Sequence, residues 1–327
     1  MSTDWVARAI AAVLVVWGCL AIQAAEAATC RDSRLVYSTD ALERLIGEPA
    51  KVLADEAAFW EEPAQHYTRL WAEAVDYQID YEKWRADVRS IAGLSENERS
   101  RHSLIELTED IVVARRPFLE RAIPFVCSYL PPGSNLDVSI YFTAHIPARS
   151  FLWEGIVINV AAPYWHGNPD NILNNLVHEI WHVGYAKNRD LRSEKNSVGT
   201  VRYDMLDTLQ NEGTATYVGY RADGMFHAPD EKDYRLLEDP AAVSRLLAQV
   251  NHLFAQVDVL PADEMDRLTW ERGVVDRAYY IVGAYMAQTI ENALGGQALV
   301  DTIAAGPISF ADLYNSLADA GEGIVFR

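Results

Sequence analysis

The sequence predicts an α+β protein, predominantly helical, in which one small antiparallel sheet follows a helical N-terminal region. Three observations carry that expectation. Apolar residues recur at spacings of three and four from residue 41 to about 129, the cluster Pro131-Pro132-Gly133-Ser134-Asn135 ends that pattern before two short extended runs, and beyond Asn168 the helical spacing returns and persists. Half of the 327 residues are apolar, enough for a sizeable core. The chain divides accordingly into a leader (1–27), a helical region (28–135) and a region holding the sheet and the remaining helices (136–327).

The leader has an apolar run at 9–22, preceded by Arg8 and followed by Ala25-Glu26-Ala27. This is the order of a secretory signal cleaved after Ala27, and the run is short for a membrane span of roughly 20 residues. An uncleaved anchor and lipid attachment at Cys19 are the alternatives, the latter disfavoured by Trp17, where such signals carry a small residue. Cleavage would leave Cys30 and Cys127 as the only cysteines of an exported chain, periplasmic or secreted. Export favours their pairing, two buried thiols being the alternative. The formal charge of −19, or −18 without the leader's Asp4, Arg8 and Glu26, argues against nucleic acid as a partner. No other segment has the length of a membrane span once the signal is cleaved.

In the helical region Leu42, Leu45 and Ile46, then Tyr67, Leu70, Trp71, Ala74 and Val75, mark helices of a bundle. Trp60, Trp71, Tyr77, Tyr81 and Trp84 share that spacing, which is that of core aromatics more than of a carbohydrate platform. Strands are expected at about 136–144 and 155–161, paired antiparallel. Asn168-Pro169-Asp170 supplies cap residues and a helix-starting proline for a helix reaching about 188. A polar loop leads to a second helix at about 204–221, and helices fill the remainder.

The first of these two helices carries Leu176-Val177-His178-Glu179-Ile180-Trp181-His182. Residues four apart on a helix lie about 40° apart around it, so both imidazoles can reach one metal ion. Glu179, turned about 100° from His178, can sit beside that ion and take a proton from its water without ligating. The alternative is two buried, hydrogen-bonded histidines without metal. Catalytic zinc takes a third protein ligand and leaves one position to water. Glu212, in Gln210-Asn211-Glu212-Gly213-Thr214-Ala215, is the first acid well inside a helix behind the motif, and Gly213 and Ala215 would let that helix press against the first. Asp190, Glu194, Asp204 and Asp207 are its rivals. The first two fall in the polar loop and the others near a helix start, where acids favour the dipole. Asn188 stands where a third histidine at the metzincin spacing would be. His66, His102, His145 and His166 have no spacing that suggests a role.

On these residues the chain resembles the gluzincin metallopeptidases, and more closely bacterial zinc-dependent peptidases whose second motif reads Asn-Glu-Gly-x-Ala. His178, Glu179 and His182 carry the resemblance, with Asn211, Glu212, Gly213 and Ala215 and, more loosely, the Tyr-x-x-Gly-Ala run ending at Gly283-Ala284, over about residues 138–317. The spacing to Glu212 is longer than in thermolysin-like enzymes. The resemblance implies a zincin-like catalytic region at 136–327, one catalytic zinc ion, and a peptide or protein substrate hydrolysed by zinc-bound water that Glu179 activates. Such enzymes steady the oxyanion with a tyrosine or histidine. The candidates here are Tyr279, Tyr280, His227 and His252, the tyrosines preferred because they open a helix at 277–294 similar to the family's C-terminal motif, although both can equally be core. Related enzymes pair substrate with an edge strand, expected here at Gly155-Ile156-Val157-Ile158-Asn159 with Trp165 beside a subsite. Ile158 stands where the clan's aminopeptidases carry an amine-binding glutamate, which speaks against that activity. Two other classes stay open: a zinc hydrolase of a non-peptide amide or ester, and a catalytically silent zinc-fold binding or assembly protein. The intact Glu179 speaks against the silent reading, because a structural site needs no base.

Overall fold

The computed structural model describes residues 33–189, 198–226, 232–319 and 321–327, together with Cys30. The leader, Asp190, Glu194 and His227 lie outside the described residues. Strand β1 (Arg34–Ser38) opens the fold. Then come α1 (Asp40–Gly47), α2 (Pro49–Ala54), α3 (Glu56–Trp60), α4 (Pro63–Ala74), α5 (Tyr81–Ala92), α6 (Glu96–Ser100), α7 (Ser103–Glu109) and, after a π turn, α8 (Arg116–Cys127). Strands β2 (Asp137–Thr143), β3 (Ser150–Leu152) and β4 (Ile156–Asn159) follow. The rest is helical: α9 (Pro169–Asn188), α10 (Thr200–Phe226), α11 (Lys232–Leu237), α12 (Pro240–Gln256), α13 (Ala262–Thr269), a π-helical segment (Trp270–Val275), α14 (Ala278–Leu294), α15 (Gly296–Ala305) and α16 (Pro307–Leu317). The predominantly helical α+β class is thus as expected.

Capping chemistry sets many boundaries. Asp55 and Asp80 accept hydrogen bonds from Ala58 N and Lys83 N, Ser95 and Glu98 form a reciprocal capping box, and Pro63, Pro169, Pro240 and Pro307 open their helices. The expected aromatics divide: Trp60 and Trp84 are core, whereas Tyr77 is half exposed.

The sheet corrects two expectations. Its order is β1-β2-β4-β3, and β2 pairs with β4 in parallel, not antiparallel. The antiparallel partner of β4 is β3, a three-residue return stroke between them, closed by Trp153 N donating to Gly155 O. Because β3 reverses the chain once and the turn reverses it again, β4 must run with β2. Nor is β4 the edge. It lies between β2 and β3 with all four residues buried, and the continuous run Ile156-Val157-Ile158 suits a strand covered on both faces. The edge on this side is β3. At the other edge β1, which the sequence reading does not anticipate, pairs in parallel with β2.

Helices α1 and α4 pack on β2, and α9 runs beside β3. Cys30 and Cys127 form the expected disulfide, with Cα atoms 6.1 Å apart across 97 residues of sequence. It ties the start of the described chain to the end of α8. Among the described residues no helix is long and apolar enough to cross a membrane. Closing so long a loop constrains the unfolded chain, so reducing the bond is expected to cost about 2–5 kcal/mol. Thermal unfolding with and without a phosphine reductant measures it. An unchanged midpoint, with two thiols then titratable, would show that the bond contributes no stability.

Candidate metal centre

Helix α9 begins as its residues dictate: the Asn168 side chain accepts from Asp170 N, Pro169 takes the first helical position, and Asp170 sits in the positive first turn. Ile172, Leu173, Leu176, Val177, Ile180 and Trp181 are fully buried, which fixes the rotation of the helix. His178 and His182 therefore leave the same face one turn apart, and Glu212 approaches them from α10. His178 Nε2 lies 2.9 Å from His182 Nε2, and each lies 3.4 Å from Glu212 Oε2. Among the described residues these three form the one cluster able to hold a metal ion. Nitrogen and oxygen ligands about 2.0–2.2 Å from a tetrahedral zinc stand about 3.3 to 3.6 Å apart. The two contacts to Glu212 match that spacing, and the donor set of two imidazoles and a carboxylate suits zinc.

The shorter contact between the rings has its own cause. His182 Nδ1 donates to Asn211 Oδ1 at 2.8 Å, and its Nε2 faces His178 Nε2, a contact that a single proton between the two nitrogens accounts for. The electrostatics agree. Burial alone would lower His182, but the Glu212 carboxylate, helped by Glu179 and Asn211, pushes its pKa up to about 9. His178 is lowered by burial and by the charge of His182. Burial would raise Glu212, yet the two histidines hold it well below the usual carboxylate range. A metal held by these residues would take the Nε2 lone pairs of both rings, and the Asn211 bond would keep His182 Nδ1 protonated and its Nε2 turned toward His178 and Glu212.

Glu179, 6% exposed, points to the same place. Its Oε1 accepts from Ser150 Oγ at 2.8 Å, so edge strand β3 holds the carboxylate. The cluster opens into a cleft of about 490 Å³, walled by Arg149 and β3, by Trp71, by Trp270 of the π-helical segment, and by Arg277 and Tyr280. Trp71 stacks on Phe151, ring centroids 5.2 Å apart, so this bundle aromatic is partly cleft wall.

The other sequence candidates fall as follows. Tyr280 lines the cleft with its ring parallel to that of His178, 6.4 Å away, and burial together with Glu212 keeps its hydroxyl firmly protonated. Tyr279 does not line this cleft: it is 2% exposed, and its ring fills the space beside Gly273. His252 is exposed on α12 and likewise absent from the cleft wall. Trp165 is fully buried with Nε1 donating to Asn159 O, which makes it core and not a subsite. Asp207 is bound to Tyr185 and Arg189, and Asp204 is exposed, so neither rivals Glu212 for the histidines.

Gly213 corrects a further expectation. It packs against Gly283 of α14, not against α9: a Cβ on Gly213 would lie 2.2 Å from Gly283 Cα, and one on Gly283 would lie 2.0 Å from Leu209 O. The contact with α9 is made a quarter turn round the helix, at Glu212 and again at Gly219, whose carbonyl accepts from Asn174 Nδ2 at 2.9 Å. Sequence reasoning also gave no role to Asn211, Ser150, Arg149 or Arg277. Asn211 stood in the second motif. Arg277 stood two residues before the tyrosines. Ser150 offered no signal, because a three-residue strand has no readable period.

A family model described as "Putative zinc dependent peptidase (DUF5700)" matches residues 50–321 of the chain, a span that includes His178, Glu179, His182 and Glu212. No curated protein and no solved structure matches it.

Two substitutions test how the site is built. Asn211→Leu is expected to weaken zinc binding about 10- to 100-fold by removing the acceptor that orients His182. Competition with a chelating dye measures this, and parental affinity would show that Asn211 does not orient the ring. Gly283→Ala is expected to destabilise the protein by about 3 kcal/mol or more, since the clashing atoms are backbone. Denaturant unfolding reads it, and a loss below about 1 kcal/mol would mean that the helices separate easily.

Proposed function

We propose, on the premise that the chain belongs to the zinc-dependent peptidase family whose model spans residues 50–321, that it is a gluzincin-type peptidase in which His178, His182 and Glu212 hold the metal and Glu179 is the general base. One observation carries the reading. Three ligand atoms from two helices converge within 4.8 Å of one another, and the carboxylate one residue after the first histidine is held beside them by Ser150. A silent or purely structural zinc fold has no use for that fourth group.

Zinc bound here supplies a Lewis acid and lowers the pKa of its water toward neutrality. The chain's own residues do the rest. Glu179, fixed by Ser150, takes the proton of the attacking water and returns it to the leaving amine. Tyr280, kept protonated by its surroundings, is the hydroxyl donor on the cleft wall for the developing oxyanion. Strand β3 is the sheet edge that borders the cleft, and an extended peptide can add to such an edge by main-chain hydrogen bonds. That edge favours a peptide over a small amide or ester. The Cys30–Cys127 disulfide supports export to an oxidising compartment, as the leader's pattern does.

Incubation with a peptide library, with and without a chelator, tests the activity, and a fully zinc-loaded protein that cuts no peptide would remove it. His178→Ala is expected to lose metal. Glu179→Gln is expected to keep it and to lose about 10²- to 10⁴-fold in kcat. If Glu179→Gln hydrolysed as well as the parent, the base would be another group. Ser150→Ala should retain zinc while lowering kcat by about tenfold, as expected for a misplaced base.

A further inference from the structure

The chain is strongly acidic, yet among the described residues three arginines, Arg149, Arg189 and Arg277, stand in the wall of the metal cleft beside two carboxylates, Glu179 and Glu212. Both carboxylates are engaged, with Ser150 and with the histidines. Arg189 is bound to Asp207. Arg277 is built in more firmly. Its Nε and Nη2 donate to the Asp233 carboxylate, itself 5% exposed, and its guanidinium lies on the ring of Tyr280. Its backbone is left-handed, with φ of 66°, at the start of α14. A residue with a Cβ adopts that conformation at a cost of about 1–2 kcal/mol, so its surroundings hold it there.

A guanidinium carries five N–H groups in a planar fork. A carboxylate along the Nε and Nη2 edge therefore leaves donors on the other edge for a second one. Arg149, the residue before β3, lies with its guanidinium 4.3 Å from the centroid of the Tyr164 ring. Both arginines line the cleft together with Tyr280, and both wall a narrow recess behind His178. In that recess Thr216 Oγ1 is buried with no hydrogen-bond partner among the described residues. Two cations, one of them paired with the Asp233 carboxylate that lines the same recess, and an unmatched hydroxyl thus lie on one side of the metal ligands.

We propose that Arg277, with Arg149, forms a carboxylate-binding subsite beside the metal centre, so that the substrate is a peptide bearing a carboxylate close to the bond that is cut. This rests on the reading of the chain as a zinc peptidase. Asp233 holds the Arg277 fork in place before substrate arrives, so the carboxylate meets an ordered cation. A neutral amide in the same place would offer the remaining donors of the Asp233-paired guanidinium a weaker acceptor than a carboxylate does.

Two matched pairs of fluorogenic peptides decide it. One pair exchanges Glu for Gln inside a sequence with an amidated C-terminus, and the other exchanges a free C-terminal carboxylate for an amide on a neutral sequence. The expected result is a kcat/KM about 10- to 100-fold higher for the carboxylate member of one pair. Which pair responds tells whether a side chain or the chain end supplies the group. The double variant Arg277→Met with Asp233→Asn removes both charges of the buried pair together and is expected to reduce that ratio to below about threefold. Arg149→Gln leaves the buried pair intact, is also expected to lower the ratio, and serves if the double variant does not fold. Calorimetric binding of the same peptides to zinc-loaded Glu179→Gln reads the subsite without hydrolysis. If the parent cut no peptide, the peptidase reading would fall while this binding still decided the subsite. Equal kcat/KM and equal binding within both pairs, or a ratio unchanged in whichever variant folds, would overturn the proposal.

Discussion

The backbone crossing of α10 and α14 at Gly213 and Gly283 is the constraint on which the centre depends. The two helices meet so closely that neither glycine has room for a Cβ. Glu212 is the residue before one of these glycines, and Tyr280 lies one turn before the other. The crossing therefore sets the separation of Glu212 from the cleft wall that carries Tyr280 and Arg277. A neighbouring bond secures the same assembly: Gln210 Nε2 donates to Thr302 O of α15 at 2.9 Å, in the core. A shift of either helix would move ligand and wall apart together.

The centre itself gathers groups that resist being gathered. Two imidazoles and a carboxylate are withdrawn from water, and each would cost free energy if left unmatched. They match one another: the carboxylate faces both rings, the two Nε2 atoms face each other, and His182 Nδ1 donates to Asn211. A metal ion held there would take the same lone pairs, and its affinity would then be linked to the stability of α9 against α10. The cleft mixes both signs of charge: Arg149, Arg189 and Arg277 line it beside Glu179 and Glu212, with Arg189 paired to Asp207 and Arg277 to Asp233, on a chain that is acidic as a whole.

The parts of this arrangement legible in the sequence are those with a helical period or a fixed short spacing. His178, Glu179 and His182 sit four residues apart at most, and the buried stripe of α9 announces the helix that carries them. Glu212 was legible as an acid inside the next helix, although that helix starts at Thr200 and so holds Asp207 in its interior too, and Cys30 and Cys127 as the pair expected of an exported chain. The sheet was less so. Three residues at β3 are too few to show alternation, and without β3 the two longer strands look like an antiparallel pair. The role of Gly213 was misread for a different reason. A small residue announces that something comes close, but not which neighbour, and the helix offers several faces within a single turn. Tyr279 and Tyr280, adjacent in sequence, face different surroundings for the same geometric reason, one packed against Gly273 and the other in the cleft.

The position of β1 bears on how the molecule is assembled. The helices between it and β2 form from contacts along a short stretch of chain, whereas β1 can pair only after β2 has been made, with the 97-residue span from Cys30 to Cys127 still to be closed. The cleft is lined from β3 and the helices and not from β1. Until β1 pairs, the outer side of β2 offers a row of unpaired peptide groups, on a strand whose side chains alternate between covered and uncovered. Such a row is a template for pairing with another chain. Cys30 precedes β1 by four residues, so the cystine tethers the strand that covers this row.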